Sequence, residues 1–310
     1  MKASKPLYFF LVIFFAPTLV CADTLPLNNA LRATYTACVN IDKNLSDLKK
    51  MAGINTAVTG VGTGLGAGAT IVGAIKAKKD KLREQIDKQL RNLRNMSDKE
   101  FLQFLANVSN YKQYKDMLSQ ETTANDESKK LGNWRTGLMV GNTATNIAGA
   151  VIAKGNKVNT DLQTQIDNCK SAIRNLQNSI NQAQLDYDDV SEATEILNAC
   201  REFEYVDITP INKKANNAMV SSIIGATTGV AGTIASAVAN SDDIRKEEES
   251  KQGKKTDEDW QKEKNVNTTA NILAGTSTVA SGVATIFNAT QVSAIKKVAS
   301  VAEKCTKALK

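Results

Sequence analysis

Cysteines carry the most definite chemistry in this sequence. Of the five cysteines, four lie beyond the N-terminal apolar run, at Cys38, Cys169, Cys200 and Cys305. An even number of cysteines in an exported chain is typical of disulfide bonds, which form in oxidising compartments. We therefore expect two disulfides and a location in the periplasm, at the cell surface or in the medium.

Residues suited to catalysis are otherwise sparse. Histidine is absent from the sequence, which removes the usual general base, the common nucleophile systems and most zinc sites. The adjacent carboxylates Asp188–Asp189 and Asp242–Asp243 lie in polar, charge-rich stretches, where a solvated surface is expected. We predict no enzyme activity, no cofactor and no metal site.

One glycine-rich stretch has a pattern found in phosphate loops. Residues 64–69 read GLGAGA, which fits the G-x-G-x-x-A of dinucleotide-binding loops. That motif requires a preceding strand and a surrounding βαβ unit, and the sequence indicates neither. The net charge of +7 is spread among interspersed acids, without a basic patch interleaved with aromatic residues. We therefore expect neither nucleic acid nor a small-molecule substrate as a partner.

The N-terminus has the pattern of an export signal. Basic residues precede the apolar run PLYFFLVIFFAPTLV, and Val20-Cys21-Ala22 places small residues before a cut after Ala22. We predict a signal peptide over residues 1–22. The alternatives are an uncleaved membrane anchor, which Pro17 and the short run disfavour, and a lipoprotein with a modified Cys21, which Val20 fits poorly.

The remaining chain is predicted to be a tandem repeat. Residues 66–77 (GAGATIVGAIKA) align with residues 229–240 (GVAGTIASAVAN), and residues 141–151 (GNTATNIAGAV) align with residues 274–284 (AGTSTVASGVA). The cysteines follow the same order, so each half reads cysteine, small-residue segment, charged region, small-residue segment, cysteine. Coincidence between two Ala/Gly/Ser/Thr-rich regions is the alternative.

Helical periodicity runs through the glycine-rich stretch. In DKLREQIDKQLRNLRN, residues 80–95, leucine and isoleucine recur at helical spacing. Steps of three and four extend this seam back through Ile75, Val61 and Ile54 to Met51, a heptad pattern typical of coiled coils. We expect a helix whose glycines flank an apolar packing seam.

Antiparallel hairpins follow from the spacing in each half. In an antiparallel pair of helices, the residue numbers of two facing residues add up to a constant. Within each half, the two cysteines give nearly the same sum as the centres of the two small-residue segments. The predicted pairing is therefore Cys38–Cys169 and Cys200–Cys305. Gly253 falls at the tip of the second hairpin, in the charged turn ESKQGKKTDED.

The predicted fold is all-α, an elongated bundle of two disulfide-stapled antiparallel helical hairpins. We place the first hairpin at residues 23–190, with a longer helical insertion at its tip, and the second at residues 191–310. Pro210 breaks the helix near this boundary.

Four uncharged segments, at residues 52–75, 136–153, 215–241 and 265–295, are rich in Gly, Ala, Ser and Thr. Gly60-x-x-x-Gly64-x-x-x-Gly68 and Gly225-x-x-x-Gly229 are rows of the glycine-zipper type, which let helices approach closely. Gly149 and Gly282 align with each other between the two repeats. We predict that these seven glycines serve helix packing.

These segments support two functional hypotheses. Their length suits a bilayer of roughly 30 Å, and crossing by all four would put every cysteine on the exported side. Asn142, Asn146, Asn271 and Asn288 favour instead a water-soluble bundle with a small-residue core. The sequence thus predicts an exported, non-enzymatic helical protein that enters or contacts a membrane, or alternatively a soluble envelope or secreted scaffold that binds another protein. In either case it could form a homo-oligomer.

Overall fold

A computed structural model describes residues 25–186 and 188–310, which form helices and no strand. The predicted signal peptide, including Cys21, lies outside the described residues. The helices are α1 (Leu25–Cys38), α2 (Ile41–Arg94), α3 (Asp98–Ala106), α4 (Val108–Gly155), α5 (Thr160–Leu185), α6 (Ser191–Glu204), α7 (Thr209–Ala239), α8 (Asp242–Arg245), α9 (Glu247–Lys251) and α10 (Asp257–Ala308).

Four long helices form an antiparallel bundle. Helix α2 packs against α4 and α10, and α7 packs against the same two helices from the opposite corner. The predicted all-α fold of stapled hairpins is therefore confirmed, with α2–α4 as the first hairpin and α7–α10 as the second. Because the two hairpins contact each other through α2 with α10 and through α4 with α7, they share one interior. At 54 residues, α2 is about 80 Å long.

Local sequence explains where the helices begin. Asn107 Oδ1 accepts a hydrogen bond from Ser109 N at 2.8 Å and so caps α4. Thr256 and Asp259 form a capping box that starts α10. Pro210 occupies the first turn of α7, where its missing N–H leaves no helical hydrogen bond unmade.

The disulfide end, which we call the base, has an apolar core. Helices α1, α5 and α6 surround the ends of α2 and α10 there, and the core includes Leu45, Ile166, Leu176 and Phe203. Both disulfides lie inside it and have the predicted pairing, Cys38–Cys169 and Cys200–Cys305. All four cysteines are buried.

The opposite end, which we call the tip, contains the segments that connect the two long helices of each hairpin. In the first hairpin, α3 lies between α2 and α4. In the second hairpin, Gly253 turns the chain with a φ of 64°. A Cβ on Gly253 would lie 3.1 Å from Arg91 N and 3.2 Å from Leu90 C, so a larger residue would be strained both by this φ and by its contact with α2.

The predicted apolar seam on α2 faces outward and does not pack against the other helices. Met51, Ile54, Val61 and Ile75 are all exposed. The buried face of the same stretch consists instead of Ala52, Asn55, Thr59, Gly62, Gly66, Ala69 and Gly73. The small residues allow the close contact, so the coiled-coil interpretation of the seam is wrong in this part of α2.

Candidate functional site

The middle of the bundle carries large apolar side chains on its outer surface. They belong to residues 54–75 of α2, 134–151 of α4, 220–238 of α7 and 272–286 of α10. Together they form what we call the apolar belt. Its members are Ile54, Val61, Ile71, Ile75, Trp134, Val140, Ile147, Val151, Val220, Ile223, Ile224, Val230, Ile234, Val238, Ile272, Val279, Val283 and Ile286.

Polar groups are nearly excluded from the outside of the belt. Apart from the large apolar side chains, the exposed residues in the four ranges are alanines, glycines and two threonines. The hydroxyls of these threonines, Thr227 and Thr276, donate to the carbonyl oxygens of Ile223 and Ile272 in their own helices, both at 3.0 Å. Arg135 is the single charged residue in these ranges, and it is buried.

Contacts between helices place the four ranges at the same height. At the base edge, Asn55 Nδ2 of α2 donates to Asn288 Oδ1 of α10 at 2.9 Å. At the tip edge, Arg135 of α4 donates through Nη1 to Asn271 Oδ1 of α10 at 3.0 Å, and through Nε to Ser236 Oγ of α7 at 2.6 Å. The belt therefore encircles the bundle.

The interior at this height is polar and made of small residues. Asn142 Nδ2 donates to Ser277 Oγ at 2.8 Å, and one turn away Asn146 Nδ2 donates to Ser281 Oγ at 2.8 Å. These two bonds join α4 to α10 across the bundle. Met139 is the largest apolar side chain buried in these ranges. The usual arrangement of a soluble bundle, apolar inside and polar outside, is reversed over the belt.

Three of the predicted packing glycines lie at close helix contacts. A Cβ on Gly149 would lie 2.7 Å from Thr59 Cγ2, and one on Gly225 would lie 2.6 Å from Asn146 Oδ1. A Cβ on Gly229 would lie 2.5 Å from Thr143 Oγ1. Real Cβ atoms essentially never approach other atoms so closely, so no larger residue fits these sites without rearrangement.

The other four predicted glycines have more room. The nearest atom to a Cβ on Gly60, Gly68 or Gly282 would be 3.4 to 4.0 Å away, which is ordinary contact, and Gly64 has nothing within 4 Å. The structure differs here from the prediction because the row Gly60–Gly64–Gly68 faces partly outward. The closest contacts on α2 are made by Gly62, Gly66 and Gly73, which lie on the face turned towards α4 and α10.

A buried ionic network fills the tip beyond the belt. Glu263 accepts from Arg83 Nη1 at 3.0 Å and from Lys255 Nζ, and all three side chains are almost completely buried. Lys76 pairs with Asp80 at 2.7 Å. The indole of Trp260 donates to Asp87 Oδ2 at 2.9 Å. The paired carboxylates of this network are therefore already engaged by cations or donors of the chain.

Burial dominates the protonation of two groups in the tip. It raises the pKa of Glu121, which Ser250 Oγ counteracts in part by donating to the carboxylate at 2.9 Å. Burial likewise lowers the pKa of Lys255, although Glu263 favours its charged form. Both directions indicate a structural network held together against desolvation.

The other sequence motifs fall in ordinary surroundings. Residues 64–69 lie in the middle of α2, so the phosphate-loop interpretation is excluded by their helical backbone. Asp189 accepts from Ser191 N at 3.0 Å beside the start of α6, and Asp242 begins α8. Within residues 25–186 and 188–310, no three His, Cys, Asp or Glu side chains are placed to hold a metal ion.

Three stretches of the described chain are long and apolar enough to cross a membrane. They are Pro26–Arg94, which covers α1 and α2, Ser191–Ala239, which covers α6 and α7, and Asp257–Ala308, which is α10. Only 28% of the most apolar window in each is buried inside the bundle. Helix α4 does not meet this criterion, although its exposed apolar side chains belong to the belt at the same level of the bundle.

The inverted interior was missed by sequence reasoning. A signal for it exists, since Asn55, Thr59, Gly62 and Gly66 follow one another at steps of three and four along α2. This spacing puts them on one face, opposite the isoleucines and valines.

Neither a protein-family model nor any curated protein or solved structure gives a significant match to this chain.

Proposed function

We propose that this chain is an exported, non-enzymatic membrane protein whose apolar belt lies in the hydrocarbon layer of a bilayer. The observation that carries the proposal is the reversal described above, in which every exposed side chain of the belt is apolar or an internally bonded threonine while the interior is polar. Soluble monomers rarely expose contiguous apolar patches larger than a few hundred Å². A belt around four helices is far beyond that size.

The height of the belt supports a bilayer as its environment. At 1.5 Å per residue, the belt extends about 32 Å along α2, from Ile54 to Ile75, and about 21 to 27 Å along the other three helices. The hydrocarbon core of a typical bilayer is roughly 30 Å thick. Trp134, 67% exposed at the tip edge, has the position at which tryptophan is enriched in membrane proteins.

The polar interior is compatible with lipid outside. Without water, helices in a membrane associate through close packing of small residues and through hydrogen bonds between side chains. Gly149 and Gly229 supply the first kind of contact, and the Asn142–Ser277 and Asn146–Ser281 bonds supply the second. These are the contacts expected between helices in lipid, where burial of apolar side chains does not favour helix association.

The two disulfides favour one orientation. They are typical of an oxidising compartment, and the predicted signal peptide would export the N-terminus to the same side. The base would then face that compartment, and the tip would lie across the membrane.

A second copy or another envelope protein is the competing occupant of the belt, which corresponds to the scaffold hypothesis. Such a partner would have to cover all four outer faces at once. A lipid annulus does this without any specific complementarity. The membrane proposal therefore explains the belt with fewer requirements.

Lysine substitutions near the middle of the belt test the proposal. Val230 and Val279 are exposed on α7 and α10, so Val230→Lys and Val279→Lys should change stability in water by no more than about 0.5 kcal/mol each. At the centre of a membrane each lysine costs roughly 2.5 to 3.5 kcal/mol. The expected result is loss of co-flotation with phosphatidylcholine vesicles.

The matched control is Leu185→Lys, at a site that is 72% exposed outside the belt. It should float like the wild type. If the Val230→Lys, Val279→Lys double variant floats as well as Leu185→Lys, the belt does not contact lipid and the proposal is wrong.

A further inference from the structure

A set of exposed lysines lies just beyond the base edge of the belt. Each of the four long helices contributes to it. The members are Lys50 on α2, Lys154 on α4, Lys213 on α7, and Lys296 and Lys297 on α10. We call this set the lysine border.

Contacts between helices bring the lysine border to one level of the bundle. Asn212, beside Lys213, accepts from Val158 N at 2.8 Å, just past the end of α4. Gln291 Nε2 of α10 donates to Asn156 O at 2.7 Å. The border residues lie about 5 to 15 Å from the last belt residues along their helices. Lysine side chains at these heights reach the headgroup layer, which adds roughly 5 to 8 Å on each side of the hydrocarbon core.

Acidic residues do not balance the lysine border. Among the described residues, Lys50 is the only border lysine with a carboxylate partner, Asp47 at 3.4 Å, and that pair is well exposed. No acid occurs between Glu127 and Asp161, between Asp207 and Asp242, or between Glu263 and Glu303. Lys154, Lys213, Lys296 and Lys297 therefore face outward without a carboxylate paired to them, and the carboxylates near the border are Asp42, Asp47 and Glu303, beside Lys50 and Lys296.

The tip edge is different. There, acids alternate with the bases, and ion pairs such as Lys79–Glu127 at 2.6 Å and Lys129–Asp242 at 3.5 Å join the helices. The two rims of the belt thus differ in charge balance although both contain lysines. An unbalanced rim of lysines beside an apolar surface matches the surface of an anionic membrane.

We propose that the lysine border binds anionic phospholipid headgroups in the leaflet that the base contacts. The inference depends on the proposed function, because it takes the base edge of the belt as the level where hydrocarbon meets headgroups. It adds a lipid class and a side of the membrane. Each lysine near an anionic surface contributes about a fivefold gain in binding.

The test compares vesicles of phosphatidylcholine alone with vesicles that also contain phosphatidylglycerol, by co-flotation at low and at physiological salt. The border variant is Lys154→Gln, Lys213→Gln, Lys296→Gln, Lys297→Gln. Its matched control is Lys78→Gln, Lys81→Gln, Lys130→Gln, Lys264→Gln, which removes the same charge from exposed sites near the tip edge.

Wild type and tip control should bind the mixed vesicles more tightly than phosphatidylcholine vesicles, and this gain should weaken with salt. The border variant should lose roughly 600-fold of binding to mixed vesicles, about fivefold for each of its four lysines, and keep its binding to phosphatidylcholine. Equal losses in the border and tip variants, or no preference of the wild type for mixed vesicles, would overturn the inference. Binding of the Val230→Lys, Val279→Lys variant to phosphatidylcholine vesicles tests the belt separately. The loss of that binding does not depend on the lysine border.

Discussion

Ile54 and Asn55 are neighbours in the chain and lie on opposite faces of α2. The side chain of Ile54 is 54% exposed, and that of Asn55 is fully buried. Asn55 Nδ2 donates to Asn288 Oδ1 inside the bundle at 2.9 Å. The apolar residue faces the surroundings and the amide faces the core, which is the relationship expected of a bundle surrounded by lipid.

Glycine substitutions should separate close contacts from open faces. A Cβ on Gly149 would overlap Thr59 Cγ2, whereas one on Gly64 would meet nothing within 4 Å. We expect Gly149→Ala to lower the free energy of unfolding by roughly 1 to 3 kcal/mol, the usual range for overpacking. Gly64→Ala should raise it by up to about 1 kcal/mol, since alanine is the better helix former.

Thermal or denaturant unfolding of both variants in the same solvent provides the measurement. Equal stabilisation by the two substitutions would show that Gly149 is not at a helix contact.

Much of the fold was predictable from the sequence. The helices follow from the three-and-four spacing of apolar residues, and the disulfide pairing follows from the register shared by cysteines and small-residue segments. The choice of the inner face was not predictable by the same reasoning. Periodicity assigns Ile54 and Asn55 to different faces of a helix, but it does not say which face is covered by protein.

The ionic network of the tip could not be predicted from the sequence either. Lys76 and Asp80 are four residues apart, a spacing that usually marks an exposed helical pair. Here α10 covers them, and Glu263 comes from far along the chain to pair with Arg83. Such burial depends on how the two hairpins pack together, which local patterns do not encode.

Removal of Glu263 should be costly. Glu263→Gln leaves the buried Lys255 without its carboxylate and leaves Arg83 only the longer contact with Asp80, at 3.4 Å. Breaking a buried pair typically costs roughly 3 to 5 kcal/mol. Glu303→Gln is the matched control, because the Lys307–Glu303 pair, at 2.7 Å, is exposed and exposed ion pairs contribute little to stability. Denaturant unfolding of the two variants measures the difference. A Glu263→Gln protein as stable as the control would contradict the network.

The disulfides should contribute similar stability. Their sequence separations are 131 and 105 residues, and the chain-entropy model gives about 4 to 5 kcal/mol for loops of this size. We expect the double variants Cys38→Ala, Cys169→Ala and Cys200→Ala, Cys305→Ala to lose comparable amounts in denaturant unfolding. A large difference between them would mean that the base packs unequally around the two bridges.

Acid should weaken the start of α10. The hydroxyl of Thr256, together with Lys246, lowers the pKa of Asp259 to about 2. A carboxyl group whose folded pKa is depressed stabilises the fold above its unfolded pKa, and this contribution is lost as the pH falls through the folded pKa. The stability that depends on Asp259 should therefore disappear between about pH 4 and pH 2.

Amide hydrogen exchange at residues 257–260 measures this loss, with Asp259→Asn as the reference. The wild type should exchange more slowly than the variant at pH 5 and approach it near pH 2. A difference that stays constant over this range would show that the carboxylate does not act through its charge.

The depth of a tryptophan in a bilayer tests the proposed lipid contact of the belt most directly. Val279 follows Thr278, which lies against Gly66 midway along the belt. We would therefore combine Val279→Trp with Trp134→Phe and leave the buried Trp260 as a constant background. In vesicles with lipids brominated at different depths, the new tryptophan should be quenched most by bromines near the bilayer centre, and Trp134 of the wild type most by shallow ones. A tryptophan at position 279 that no brominated lipid quenches would contradict the proposed membrane location of the belt.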